Sequence, residues 1–478
     1  MAAWRENSWL ILVSVLFLGL LGYTIWIDSW LGYLLPFGLL AVFVAMFYTE
    51  YTFFFILAAT PLSINIEEYT DSFGLFLPTE PLLFGTMLLL LMQSMKYKVF
   101  PLHMMHSPII WTVGLYLLVI FFTAIVSSNP VVSFKFLLAR LWFIVPVLGY
   151  GTRVFTDIRK IRLFLWLFLS AMTIAMIYTL VIHASYRFGE KESHWVMWPF
   201  FKDHTIYGAI VALVLPLAVS FLFAKPHAPL QQFLLIGMIC VNLLALYFSY
   251  TRAAWLSVFL GVVIWLLIRV KVKFSLIATI AVLVSVLVWI SWDSIQQNLE
   301  RNKYEHTTEE FSERLQSAAN VTTDASNLER LNRWSCALAM FEERPLTGFG
   351  PGTYAFEYAR FQDPENLTII STNFGDLGNA HSEYLGPLAE MGIFGLLSML
   401  ALVAAIFYQA ITLYNNWPAA DREMKTLIMG MIVSLSTYFI HAFLNNYLDT
   451  DKAAVPIWTM CAIVIAQTEE LRRKTSTK

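Results

Sequence analysis

Long apolar segments dominate the sequence, and most are close to the length of a helix that crosses a lipid bilayer. Such a helix needs about 20 mostly apolar residues, because lipid offers the backbone no hydrogen-bond partner. Hydrophobic residues make up 58% of the chain and charged residues only 13%, which excludes an ordinary water-soluble fold. The candidate segments are 8–27, 30–48, 50–66, 79–95, 108–127, 132–150, 161–184, 204–224, 230–249, 252–269, 274–292, 383–413, 425–447 and 453–467. We therefore expect an all-α polytopic membrane protein with about 12–14 transmembrane helices, the first of them retained in the membrane.

Lysine and arginine are concentrated in alternate connections between these segments. Connections on the cytoplasmic side of a membrane carry an excess of both residues, so their distribution indicates the orientation. The basic connections contain Lys96 and Lys98; Arg153, Arg159, Lys160 and Arg162; Lys225; Arg269, Lys271 and Lys273; Arg422 and Lys425; and residues 472–474. This pattern predicts cytoplasmic termini and an outer face that carries a long hydrophilic loop.

That loop divides the chain into N-terminal membrane helices (1–292), the loop itself (293–382) and closing helices with a short tail (383–478). Helix-like patterns cover 308–319 and 326–343, and glycines from 348 to 352 are typical of a turn that returns the loop over the membrane. Its aromatic and apolar content disfavours disorder. We expect an ordered, functional loop.

Arg252 lies where a helix enters the membrane from the predicted outer face, a place where orientation gives no reason for a cation. One interpretation is a side chain that extends to the lipid headgroups. The other is an anion site, because guanidinium binds phosphate oxygens in pairs and keeps its charge. An outward Arg252 thus fits a lipid-linked phosphate or diphosphate.

Two further arginines in the loop, Arg330 and Arg333, are three residues apart and share a helix face. Either of them is a candidate partner for Arg252 at an anion site, although an ordinary solvated face would show the same spacing. The local sequence does not separate the two.

His381 closes the loop just before the next membrane segment. Imidazole is the side chain best suited to general-base chemistry near neutral pH. A histidine at a helix start can also be a cap or a packed residue, so its position beside the arginines is what favours a catalytic role.

Three blocks of sequence, taken in order, resemble the O-antigen ligase and polymerase superfamily, whose members use undecaprenyl-diphosphate-linked glycans. The blocks are TRAAW at 251–255, RLNRW at 330–334 with RPLTGFGPG at 344–352, and HSEYL at 381–385 with EMGIFG at 390–395. The resemblance covers about residues 200–400, and the N-terminal helices resemble the family only in hydropathy.

The resemblance implies a C-type, metal-independent, inverting glycosyltransferase without a cofactor. By position, Arg252 and Arg330 would hold the diphosphate, Arg333 is a further candidate, and His381 would be the base. Such a site needs fixed positive charge where the leaving group gains negative charge. The family often has His-Asn where this chain has His381 and Ser382, so any partner role of the second residue is in doubt.

Other polar residues offer alternatives. Asp449 and Asp451 are spaced to hold a divalent cation, although a polar turn and the neighbouring Lys452 argue against it. Arg140 lies inside an apolar segment, which makes it a candidate diphosphate ligand.

Two more polar groups lie at the predicted outer face. Glu67 and Glu68 are an alternative base, with a solvated turn as the simpler interpretation. Lys202, Asp203 and His204 begin a helix, where capping is favoured over contact with the acceptor.

The leading hypothesis is transfer of a glycan from undecaprenyl diphosphate to lipid A–core or another glycan acceptor on the outer face of a bacterial inner membrane. Polymerisation of repeat units and protein O-glycosylation use the same leaving group and stay open. A transporter of anions or lipid-linked sugars is the alternative from another class. The bilayer is an expected partner, and nothing in the sequence indicates nucleic acid.

Overall fold

The structure, a computed structural model, describes residues 14–15, 17–26, 38, 40, 43–66, 74–272, 325–362 and 378–476. Residues 1–55 form one unit, whose described part includes the short helix Phe17–Trp26, and residues 56–478 form a second unit. The described helices from residue 49 onward are α1 (Thr49–Ala59), α2 (Thr79–Ser94), α3 (Pro108–Ile125), α4 (Pro130–Phe143), α5 (Ile158–Ser185), α6 (His204–Ala224), α7 (Pro229–Phe248), α8 (Arg252–Arg269), α9 (Ala325–Glu343), α10 (Tyr354–Glu357), α11 (Leu385–Asn416), α12 (Arg422–His441) and α13 (Asp451–Ser476). One short antiparallel pair, β1 (Ile64–Asn65) with β2 (Phe76–Leu77), places Ile64 opposite Leu77.

Eight helices among the described residues are long and apolar enough to cross a membrane. They are α3, α4 with its continuation to Val154, α5, α6, α7, α8, α11 and α12. The prediction of an all-α polytopic membrane protein is therefore confirmed. The predicted segment 274–292 and the predicted loop helix 308–319 lie outside the described residues, as do part of 8–27 and most of 30–48.

The predicted loop helix 326–343 corresponds to α9, which begins at Ala325 and ends at Glu343. The predicted segment 132–150 is longer than expected, because α4 continues through a π-helical stretch, Ile144–Tyr150, to a last turn at Gly151–Val154. Pro146 lies in this stretch and has no N–H for the regular ladder, a common cause of helix irregularity.

The centre of the second unit is the close pair α6 and α12, whose side chains are mostly buried. Small residues of α12 face α6: Gly430 approaches Ser220, and the hydroxyl of Ser434 donates to the carbonyl of Leu213. Lipid is as apolar as a leucine side chain, so membrane helices associate through close packing of small residues and interhelical hydrogen bonds. The pattern Gly430, Ser434, Thr437 supplies both.

Two contacts connect helix ends that lie next to basic residues. Arg162, near the start of α5, forms a bidentate ion pair with Glu423 at the start of α12. Gln467 of α13 donates to the carbonyl of Phe155.

Helix α11 breaks at Gly392, whose φ of 64° and ψ of −158° are not helical. The N–H of Ile393 therefore donates to the carbonyl of Pro345 in the loop, at 2.9 Å, instead of continuing the helix ladder. A β-carbon at Gly392 would collide with the backbone of Pro345 and Leu346. Only glycine combines this φ with such a close approach.

The break leaves helix carbonyls that the glycine-rich run of the loop satisfies. Phe349 N–H donates to the carbonyl of Ala389 at 3.3 Å, and Gly350 N–H donates to that of Glu390 at 2.7 Å. On its other side, the carbonyl of Phe349 accepts from Ser128 N–H, just before α4, at 2.7 Å. The run is thus a buried wedge between α11 and the turn before α4, which is more than the returning turn that the sequence indicated.

Gly430→Ala tests the close approach of α6 and α12. The new methyl would meet Oγ and Cβ of Ser220, and overpacking of this kind costs about 1–3 kcal/mol. We expect a lower thermal unfolding midpoint in detergent. The midpoint is measured by size-exclusion chromatography of the heated protein. The matched control is Gly237→Ala in α7, where a β-carbon has no heavy atom within 4 Å and helix propensity predicts equal or higher stability. Equal midpoints for both variants would contradict the packing described.

Candidate functional site

His381 lies in a short connection between the loop and α11, held by its own backbone contacts. Its φ of 47° is in the left-handed region, and its N–H donates to Asn379 Oδ1 at 3.0 Å. Ser382 is fully buried, and its Oγ accepts from the N–H groups of Tyr384 and Leu385 at the start of α11, each at 3.3 Å. Ser382 therefore holds the backbone here, where the family often has asparagine.

Glu383 ties this connection to the turn between α12 and α13. Its Oε1 accepts from the hydroxyl of Tyr438 at 2.9 Å and from the N–H groups of Tyr447 at 2.8 Å and Leu448 at 2.7 Å. Its own N–H donates to the carbonyl of Ala442 at 2.9 Å. These four bonds fix the height and direction of the segment that carries His381.

The imidazole of His381 is next to a second polar group from the same turn. Its Nδ1 lies 3.4 Å from Asn445 Oδ1, and Asn445 Nδ2 lies 3.0 Å from Nε2 of His441. The sequence interpretation missed these two residues as partners of His381. Their four-residue spacing at the end of a predicted helix was visible, but their contact with His381 comes from the fold.

The helix α9 packs against the same connection and places Arg330 near His381. Trp334, one turn after Arg330, donates from Nε1 to the carbonyl of His381 at 3.5 Å. The Arg330 guanidinium acts electrostatically on three imidazoles, those of His204, His381 and His441. Arg330 is thus the predicted arginine that the structure brings to the histidine.

Arg333 has different neighbours and is 5% exposed. Its Nε donates to Glu329 at 2.8 Å, its Nη1 donates to the carbonyl of Asn379 at 3.3 Å, and its guanidinium lies over the Tyr358 ring. The ion pair with Glu329 and the packing on Tyr358 occupy it inside the loop. This difference separates the two arginines that the sequence left equal.

Electrostatics favour a neutral imidazole at His381. Its partial burial lowers its pKa to about 4, and the positive charges of Arg330 and Arg333 add to the shift. At neutral pH the ring is therefore unprotonated at one nitrogen and able to accept a proton.

Arg252 is the first residue of α8 and is partly buried. Its neighbour Thr251 donates from Oγ1 to the carbonyl of His204 at 2.8 Å, so α8 and α6 begin side by side. His204 is within electrostatic reach of Arg330. Arg252 is thus on the same side of the second unit as His381, and no direct contact between the two residues is described.

Arg140 lies in α4, 5% exposed, with its guanidinium 4.6 Å from the centre of the Phe136 ring. Among the described residues, its Nε and Nη1 have no hydrogen-bond partner. Its electrostatic neighbours include the carboxylates of Glu383 and Asp449. The structure therefore places Arg140 within electrostatic reach of Glu383, the residue that holds the segment carrying His381.

Asp203 and His204 begin α6, as predicted. Asp203 caps the helix by accepting from the N–H groups of Thr205 at 2.7 Å and Ile206 at 3.0 Å, which confirms the capping interpretation. The His204 ring packs on that of His194, with centroids 4.1 Å apart. Glu67 and Glu68 lie outside the described residues.

The two aspartates considered for a metal differ in environment. Asp451 is fully buried, and its Oδ2 accepts from the hydroxyls of Ser63 and Thr79 at 2.5 Å each. Asp449 is exposed. Lys452 donates to the carbonyl of Ser63 at 2.8 Å, which adds a positive charge beside Asp451. Asp451 is thus part of a buried connection between α13 and the segment before β1.

Comparison with known proteins bears on the segment that carries most of these residues. Residues 234–400 match the family model described as O-antigen ligase. Over this segment the predicted resemblance to the O-antigen ligase superfamily is confirmed. The match includes Arg252, Arg330, Arg333 and His381, while Arg140 and Asn445 lie outside it. No curated protein matches the chain. The family is one of glycosyltransferase-type membrane enzymes, consistent with the helices described above.

Arg333→Ala and Arg330→Ala separate a structural from a functional arginine. Without Arg333, buried Glu329 loses this ion pair, and breaking a buried pair typically costs about 3–5 kcal/mol. We expect Arg333→Ala to make the region 325–362 sensitive to limited proteolysis in detergent, with Arg330→Ala, the matched control, close to the parent protein. Equal protease resistance of the two variants would contradict the roles assigned here.

Proposed function

We propose that this protein transfers a glycan from undecaprenyl diphosphate to a hydroxyl of lipid A–core or another glycan acceptor. The observation that carries the proposal is the pairing of a neutral, oriented imidazole with the Arg330 guanidinium inside the family-matched segment. A lipid diphosphate is already a good leaving group. The site then needs fixed positive charge and a base, which are the two groups found.

In the proposed reaction, the acceptor hydroxyl attacks the anomeric carbon of the donor sugar. The carbon–oxygen bond to the diphosphate breaks, the hydroxyl proton goes to Nε2 of His381, and undecaprenyl diphosphate leaves with the bonding electron pair. Attack opposite the leaving group gives inversion at the anomeric carbon. Arg330 and Arg252 would bind the diphosphate oxygens, whose charge increases as the bond breaks.

The proposal gives Arg140 and Arg333 supporting roles. The carboxylates around Arg140 balance its charge, and Glu329 balances that of Arg333. A guanidinium already balanced by carboxylates attracts a further anion less strongly. Arg330, which acts electrostatically on His381, and Arg252, at the start of α8, are the proposed diphosphate ligands.

The proposed mechanism uses no metal or other cofactor. Asp451, the buried member of the aspartate pair, has its Oδ2 occupied by two hydroxyls and Lys452 beside it. We propose further that the site faces the periplasm of a bacterial inner membrane with both termini in the cytoplasm, because lysine and arginine are concentrated in the alternate connections that do not carry the loop.

Two alternatives share parts of this argument. A polymerase of repeat units would use the same donor, the same arginines and the same base, and differ only in the acceptor. A transporter of anions or lipid-linked sugars is favoured by one observation: Nε and Nη1 of Arg140, within a membrane-crossing helix, have no hydrogen-bond partner in the described part of the chain.

The test uses purified protein with undecaprenyl-diphosphate-linked oligosaccharide and either lipid A–core or a second oligosaccharide donor as acceptor. We expect product only in the presence of protein, unchanged by a chelator. His381→Ala should lower the rate by about 100- to 10,000-fold, the usual range for a general base. Arg252→Ala should also lower it strongly.

Each contrary result has a specific meaning. Full activity of His381→Ala would remove the base assignment, and inhibition by chelator would restore a metal site. Elongation of the second donor without transfer to lipid A–core would favour the polymerase. Movement of donor across liposomes with no transfer would favour the transporter.

The pH dependence of transfer gives an independent prediction. The reactive form of His381 is unprotonated, so kcat/KM should fall as the pH drops through about 4, the pKa of the free enzyme. Arg330→Gln removes a positive charge that lowers this pKa. The acid limb of the profile of kcat/KM against pH should therefore move to higher pH, while the maximal rate falls. Arg360→Gln in the same loop, whose arginine pairs with Glu343, is the control and should leave the limb unchanged. An unmoved limb in Arg330→Gln would contradict the arrangement.

A further inference from the structure

The turn after α12 carries an asparagine that joins two buried histidines. Asn445 is 2% exposed and His441 is 1% exposed. Asn445 Nδ2 donates to Nε2 of His441 at 3.0 Å, and Asn445 Oδ1 lies 3.4 Å from Nδ1 of His381. The three side chains form one chain of hydrogen bonds from the end of α12 to the loop.

The direction of this chain follows from the chemistry of its members. An amide oxygen only accepts, so the Nδ1 of His381 must carry the hydrogen. A neutral imidazole with hydrogen on Nδ1 has its lone pair on Nε2. That nitrogen is then the one able to accept a proton.

The contact with His441 orients the side-chain amide of Asn445, whose Nδ2 is directed toward Nε2 of His441. Alone, Asn445 could rotate its amide by half a turn and present its NH₂ group to His381, which would require the opposite tautomer. The bond to His441 holds the NH₂ group away from His381 as long as Nε2 of His441 stays unprotonated.

The charges around the chain favour its neutral form. Arg330, Arg333 and Glu329 face His381 from α9, and Arg330 and Asp203 act on His441. Two positive groups against one carboxylate oppose protonation of His381.

We propose that Asn445, oriented by His441, is a positioning residue that holds His381 in the tautomer with hydrogen on Nδ1 and the Nε2 lone pair free. The catalytic meaning of this tautomer rests on the proposed function, in which Nε2 takes the acceptor proton. The tautomer itself is a property of the folded protein and can be measured without substrate.

The direct test is solid-state NMR of the full-length protein in lipid, labelled with ¹⁵N-histidine, at neutral pH. The His381 signals are assigned by their loss in His381→Gln. We expect a protonated, pyrrole-type Nδ1 and an unprotonated, pyridine-type Nε2. The reverse pattern, or a mixture, would overturn the proposal. His441→Ala frees the amide, so we expect a mixture of His381 tautomers in that variant, and an unchanged pattern would remove the role of His441.

A second test measures release of undecaprenyl diphosphate from an undecaprenyl-diphosphate-linked oligosaccharide in the presence of acceptor. Asn445→Ala should lower kcat by about 10-fold or more, and by less than His381→Ala, with KM for the donor within about twofold. Asn445→Asp should recover much of the rate, because its carboxylate accepts the same Nδ1–H.

The aspartate variant also separates positioning from simple packing. A carboxylate beside His381 stabilises the imidazolium, so its pKa rises and the acid limb moves to higher pH. Asn446→Ala is the matched control, because Asn446 is in the same turn and its Oδ1 has no partner among the described residues. Activity and the acid limb of the pH profile should both stay unchanged in this variant. Unchanged kcat in Asn445→Ala, or an unmoved limb in Asn445→Asp, would overturn the proposal.

These outcomes distinguish the proposed base role of His381 from the proposed positioning role of Asn445. The expected tautomer together with full activity of His381→Ala would leave the hydrogen-bond chain in place and remove the proposed base. An inactive His381→Ala variant together with the reverse tautomer would keep the base and remove the role of Asn445.

Discussion

The candidate site depends on the hydrogen bonds that the carboxylate of Glu383 accepts. Glu383 accepts three hydrogen bonds from residues around the turn between α12 and α13, while its own N–H donates to that turn. Hydrogen bonds to a charged group are worth about 1.5–3 kcal/mol each, and more is lost when a buried one is removed. Through this clamp, the two residues before Glu383 are held against Asn445 and His441. The position of His381 is therefore set by the membrane helices and the turn that joins them.

The loop is fixed to the same helices at a second place, the broken helix α11. A regular helix satisfies its own carbonyls and offers a passing chain nothing to bind. The break at Gly392 exposes helix carbonyls that accept hydrogen bonds from N–H groups of the glycine-rich run, and Pro345 supplies the acceptor that Ile393 has lost. Helix α9, which begins the described part of the loop, and His381, which ends it, are thus both anchored to α11. Arg330 is brought to His381 by this double attachment.

The sequence predicted the membrane helices well because apolar length is a local property that lipid imposes directly. It also predicted α9 and the candidate residues His381, Arg252 and Arg330 from local pattern and resemblance. It could not rank Arg330 above Arg333, since the difference lies in Glu329, Asn379 and Tyr358, partly far along the chain. The π-helical stretch after α4 and the contact of Asn445 with His381 also depend on packing between distant segments. The contacts of Asp451 with Ser63 and Thr79 could not be predicted either, because these partners are 388 and 372 residues away in the sequence.

The site contains a tension that its substrate can resolve. Burial and, in addition, the charge of Arg330 keep His381 neutral, yet a base is most effective when its pKa is near the working pH, and about 4 is low for this purpose. In the proposed donor site, Arg330 binds a diphosphate that carries negative charge of its own. That charge offsets the guanidinium and stabilises an imidazolium, so the pKa of His381 rises when donor is bound. Without donor, Arg330 thus contributes to keeping His381 unprotonated. With donor bound, the charge of Arg330 is offset and His381 becomes a stronger base beside the leaving group. The neutral amide of Asn445 suits this arrangement better than a carboxylate, because it orients the ring without adding a permanent charge that would weaken the dependence on donor.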